Sequence, residues 1–130
     1  HVRPFSVEES RNIFVTNPKN LSLEEMFRLA LTHTPGSETY NKIFMTAVQL
    51  FPDNPVANLN AACISLMQRD VKSAGHYLEK APEVPETALA KGVLYLLKNQ
   101  YEEAESFFRQ AKAAGLSQAD DNLKRILELK

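Results

Sequence analysis

At 130 residues the chain is long enough to bury one continuous core and reads as one compact unit. Its formal net charge of -1 gives no electrostatic case for nucleic acid or an anionic membrane surface, and no apolar run approaches the roughly 20 residues that span a bilayer. The single cysteine, Cys63, excludes an internal disulfide framework and a CxxC site. A start at His1, without Met or a signal-peptide pattern, is expected of a fragment or processed product, so location stays open.

Eight helical segments follow in order. Ser6 and Glu9 have capping-box spacing, which predicts a short helix from about Val7 to Val15, stopped by Asn17-Pro18. Ser22 and Glu25 repeat that spacing, and Leu23, Met26, Phe27, Ala30 and Leu31 follow at helical intervals. Pro35-Gly36 is a turn, and Ser37 caps a third helix with Tyr40, Ile43, Phe44, Ala47, Val48 and Phe51 on its inner stripe. Asn54 caps the next helix, with Pro55 at its first position, running to about Gln68. Asp70 caps a helix carrying Val71, Ala74, Tyr77, Leu78 and Ala81, and Pro82 and Pro85 bracket a tight link. A further pair spans Glu86 to Lys98 and, after a cap at Asn99 or Gln100, Tyr101 to Ala114, ended by Gly115. Ser117 and Asp120 open a last helix with Ala119, Leu123, Ile126 and Leu127 inward and Asp121, Lys124, Arg125 and Glu128 outward.

The chain repeats internally. Pro85, Gly92, Tyr95, Tyr101, Ala104, Phe108 and Ala111 each stand 30 positions after Pro55, Ala62, Ser65, Val71, Ala74, Leu78 and Ala81. Phe44, Ala47 and Pro52 fit the end of a third unit that starts near Leu21. Each unit is a helix pair that cannot bury its apolar face alone and must stack on a neighbour.

This pattern resembles the tetratricopeptide repeat. That family places small residues where helices cross, aromatics between layers and a proline near the end of each unit. Gly92, Tyr95, Ala104, Phe108 and Ala111 fit it well. Ala62, Ala74, Leu78 and Ala81 also fit, while Asn58 and Ser65 depart from the bulky residues usual at their positions. Tyr40 stands where the family has Ala, which implies wider helix spacing there. The resemblance implies an all-α right-handed solenoid over residues 21–130, with repeats 21–54, 55–84 and 85–118 and a capping helix 118–130. Residues 1–20 then hold a short helix that is either a docking segment or, with Pro18 on a repeat's closing proline position, the second helix of a degenerate upstream unit. More loosely, the stretches Ser22 to Phe27 and Phe51 to Ala62 are similar to the helical tail domain of envelope proteins in Gram-negative gut bacteria. That group has no established activity, and the likeness implies only a cell-envelope location.

No catalytic constellation emerges. His33 and His76 fall in different repeats, and Cys63 lies mid-helix, away from an N-terminus that would lower its pKa. The acidic pairs Glu24/Glu25, Glu102/Glu103 and Asp120/Asp121 are adjacent and diverge on a helix, as caps and solvated faces do. No metal-ligand spacing or phosphate loop is present. The expectation is therefore a non-enzymatic domain without cofactor or metal.

In the resembled family the first helix of each pair lines a concave groove. Carried over, the first unit offers Glu25, Met26, Leu29, Thr32 and His33, and the second Leu59, Asn60, Cys63, Leu66 and Met67. The third offers Glu86, Leu89, Ala90, Val93, Leu96 and Leu97. The set is mostly apolar and lacks the basic clamp of chaperone-binding members. Asn60 keeps a position suited to hydrogen-bonding a peptide backbone. Three readings remain open: a module that binds a protein or peptide in this groove, a structural domain of a larger protein whose groove is filled in cis by Phe5, Val7, Ile13, Phe14 and Val15, and an accessory domain of an enzyme. Leu59, Leu66, Leu89 and Leu96 also suit ordinary core.

Overall fold

The computed structural model describes residues 3–130. Among the described residues the chain is all-helical. The α-helices are α1 (Val7–Thr16), α2 (Leu23–Ala30), α3 (Glu38–Leu50), α4 (Pro55–Met67), α5 (Val71–Leu78), α6 (Pro85–Leu97), α7 (Tyr101–Ala113) and α8 (Gln118–Leu129), with a 3-10 turn at Pro18–Asn20. The chain divides into two compact units, one up to Ala57 and one from Asn58 to Lys130.

In the first unit local capping sets the helix starts. The Ser6 hydroxyl accepts from the Glu9 N–H at 3.1 Å, and the Glu9 carboxylate accepts from the Ser6 N–H at 2.9 Å. Ser22 and Glu25 form the same reciprocal pair at 3.1 and 2.8 Å. Ser37 accepts from the Tyr40 N–H, and the Asn54 side chain from the Ala57 N–H. The buried core is Leu21, Met26, Leu29, Ala30, Ile43, Phe44, Ala47 and Val48. Tyr40 packs edge-on to Phe44 at 4.6 Å between centroids, and Phe27 lies 5.4 Å from Phe44. Over its described part the N-terminal segment lies against α2: α1 packs on α2, and the Phe5 N–H donates to the Glu25 carboxylate. Residues 1 and 2 of that segment lie outside the described residues.

In the second unit two helix links 30 residues apart close alike. The Asp70 N–H donates to the Ser65 carbonyl at 2.8 Å, and the Gln100 N–H to the Tyr95 carbonyl at 2.9 Å. Arg69 and Asn99 take the left-handed conformation, at φ 59° and 61°. Both helix links thus close with the same Schellman-type turn. The turn recurs at Gly115, φ 100°, where the Leu116 N–H reaches the Ala111 carbonyl at 3.0 Å.

Two clusters hold this unit. Ala62, Leu66, Ala74, Leu78, Ala90 and Leu94 join α4, α5 and α6. Ala104, Phe108, Ala111, Ala119 and Ile126 join α7 and α8, and Leu89, Val93, Tyr95 and Leu96 of α6 pack against them. Gly92 is required here: a Cβ on it would stand 2.5 Å from the Phe108 ring. Surface ion pairs between Lys112 and Asp120 at 3.0 Å, and between Lys130 and Glu105 at 3.6 Å, tie α7 to α8. Such exposed pairs contribute about 0–1 kcal/mol each.

Three local expectations are corrected. α5 stops at Leu78, short of Ala81, because Ala81 precedes Pro82, which disfavours helical backbone and supplies no N–H. Ser117 makes no side-chain cap. Leu127, expected inward, is 68% exposed, since α8 buries only the stripe through Ala119 and Ile126.

Candidate functional site

The residues singled out for a groove do not share one environment. In the first unit Leu29 is core, and Glu25 is 2% exposed. Burial works against the Glu25 charge. The Ser22 and Phe5 N–H groups, the Ser22 hydroxyl and nearby Arg28 outweigh it and hold the pKa below the ordinary value. This carboxylate is occupied in joining the N-terminal segment to α2.

In the second unit Leu66 belongs to the α4–α5–α6 cluster, and Leu59 packs against it half-buried. Val93 touches both clusters, while Leu89 and Leu96 lean on the one around Phe108. Asn60 is half-buried and Cys63 is exposed. Although exposed, the Cys63 thiol is desolvated enough to raise its pKa, which disfavours the nucleophilic thiolate. Among the described residues no group of three or more His, Cys, Asp or Glu could hold a metal ion, and no helix is long and apolar enough to cross a membrane.

A cleft of about 780 Å³ lies elsewhere in the second unit. Its floor is the strip Thr87, Ala88, Lys91, Leu94 and Tyr95 of α6 with Lys98 at the helix C-cap. One wall is Gly75 and Leu78 of α5 with its C-cap Glu79 and the link Ala81 to Val84, and the other is Phe107 and Gln110 of α7. At about 100° per residue this strip faces away from Leu89, Val93 and Leu96. The opening follows from unequal helices. α5 has 8 residues and α7 has 13, and the cleft is lined by the end of α5 and the link that follows it. Gly75, Ala81 and Ala88 then leave the gap unfilled.

The lining is polar and organised. Tyr95 and Phe107 stack 5.5 Å apart at 10°. The Lys98 ammonium lies 5.3 Å from the Tyr95 ring centre, and the Lys91 ammonium 5.8 Å from that of Phe107. Ring faces carry negative potential and hold cations at such distances. Thr87 is 4% exposed, and among the described residues its hydroxyl has no hydrogen-bond partner. Burying an unmatched hydroxyl costs free energy, and Thr87 is one of the residues that line the cleft. Sequence reasoning missed the cleft. Its one signal was the spacing of Thr87, Lys91, Leu94 and Lys98, a mixed strip on an otherwise apolar helix.

The chain matches no family model and no characterised protein.

Proposed function

We propose that the chain is a non-enzymatic module of tetratricopeptide-like helix pairs that binds a peptide segment of a partner protein. The observation that carries the reading is the cleft between α5 and α7, where an unmatched buried hydroxyl, two ring-held ammonium groups and apolar carbon line one concavity. Its volume is in the range of about 300–1,000 Å³ usual for ligand sites. The 30-residue correspondence of the two helix links, down to the left-handed Arg69 and Asn99, supports repeat architecture. Peptides selected from a random library should shift the amide resonances of Thr87, Lys91 and Gln110, and Ala88→Arg, which fills the cleft, should abolish their binding. Failure to recover any peptide sensitive to Ala88→Arg would sink this reading.

A second reading, a structural domain that docks on its own chain, is favoured by one observation: the Phe5 N–H is bound to the buried Glu25 carboxylate. Removing residues 1–20 and following amide exchange tests it. Loss of protection in α4 and α6 supports filling in cis, and unchanged protection there argues for an independent binding module.

A further inference from the structure

The geometry points to an acidic peptide segment as the ligand of the α5–α7 cleft, its carboxylates drawn to Lys91 and Lys98 and its backbone to Thr87. This deepens the peptide-binding reading and rests on it.

Lys91 on α6 and Lys98 at its C-cap stand seven residues apart, about 10 Å along the helix axis. Among the described residues neither pairs with a carboxylate; each instead lies over an aromatic ring. The rings position the ammonium groups without neutralising them, so both keep their attraction for an anion. Lys91 is half-buried, where water screens it less than an exposed charge. Glu79 and Glu83, on the opposite side, are the other charged lining residues, and both are exposed. They repel a dense polyanion, which disfavours nucleic acid, and leave room for isolated carboxylates facing α6.

Spacing refines the ligand. A polyproline-II segment advances about 3.1 Å per residue with three residues per turn, so side chains three positions apart share a face about 9 Å apart. Two acidic residues at that interval match the two lysines. Leu78, Ala81 and Leu94 supply apolar surface for a small side chain between them. Thr87 lies one turn before Lys91, where its unpartnered hydroxyl can donate to a peptide carbonyl.

The test uses fluorescent Ala/Pro/Leu peptides carrying two glutamates three positions apart, with glutamine and lysine versions as controls. The glutamate peptide should bind roughly tenfold or more tightly than the glutamine one, with the advantage shrinking as salt rises. Lys91→Met with Lys98→Met keeps the apolar stems and should erase that advantage. Thr87→Val should weaken every peptide several-fold without unfolding the domain. Equal binding of the glutamate and glutamine peptides, or an advantage that survives the double substitution, overturns the acidic ligand while leaving a peptide site. Loss of all library binding at the cleft overturns the function and the ligand together. Should the double variant fail to fold, shifts of Thr87, Lys91 and Lys98 in the unaltered protein decide: their absence on adding the glutamate peptide overturns the inference.

Discussion

The helix pairs α4–α5 and α6–α7 share a link and differ in filling. Both links place a left-handed residue at matching positions and close on the same carbonyl five residues back. Inside, the first pair sets Ala62 and Leu78 in its core, and the second sets Gly92 and Phe108 at the same two positions. The smaller of the two small residues, Gly92, accompanies the larger of the two large ones, Phe108. The repeat therefore conserves summed volume at the crossing, not residue identity. The second difference is length: α5 ends five residues sooner than α7, and the candidate cleft opens where it stops.

Exchanging the fillings gives the largest expected effect. Gly92→Ala puts a methyl 2.5 Å from a ring that is fully buried and cannot withdraw. It should destabilise the protein by about 1–3 kcal/mol in urea unfolding. In the Phe108→Leu background the same change should be neutral or stabilising, because Ala exceeds Gly in helix propensity by about 1 kcal/mol. A reversal of sign in that double-mutant cycle supports volume exchange. Equal costs in both backgrounds would refute it.

The pairs also differ at the start of their second helices. Asp70 accepts from the Ser73 N–H at 3.1 Å, whereas Gln100 makes no side-chain cap. Glu103 already stands three residues after Gln100, so Gln100→Ser should complete the box seen at Ser6/Glu9 and Ser22/Glu25. A gain of about 1 kcal/mol is expected, read as a higher urea midpoint. No gain would mean that the backbone before α7 cannot present the hydroxyl.

The shared turn offers a smaller handle. Arg69 bears a side chain at φ 59°, a conformation that favours glycine. Arg69→Gly should stabilise by about 0.5–1 kcal/mol. Asn99→Gly should gain less, since Asn tolerates this region better than Arg. Equal gains would show that the two links are strained alike.

Much of this architecture was legible in the sequence, because caps and punctuation act locally. Ser6, Ser22, Ser37, Asn54 and Asp70 all accept the hydrogen bonds their spacing implied, and the all-helical class followed from apolar periodicity. What failed depended on neighbours. The inward stripe of α8 was read one residue too wide at Leu127, because the partner surface ends at Ile126. The cleft was invisible because it is a space: it arises from the early stop of α5 against α7, and no residue type announces a gap. Leu66 was indistinguishable from a groove residue because core and groove positions share the same apolar spacing on one helix.

The smallest effect should be a difference in acid response between the two pairs. Hydrogen bonds from the Ser73 hydroxyl and N–H hold the Asp70 carboxyl below its ordinary value of 3.8. A lowered folded pKa means that the cap's contribution is fully present above the unfolded value and fades as pH falls through the folded one. Gln100 does not titrate, so α7 has no counterpart. Amide exchange of Ser73 in the first turn of α5 should therefore accelerate, relative to a base-corrected reference, as pH drops below about 3.8, while that of Glu103 in α7 should not. Asp70→Asn should keep a cap and remove the dependence. Parallel acid responses at the two helix starts would show that the caps are equivalent and that the charge at Asp70 has no separate role. A response confined to α5 would leave the backbone turn as what the pairs share, with capping chemistry, like side-chain volume, free to vary between them.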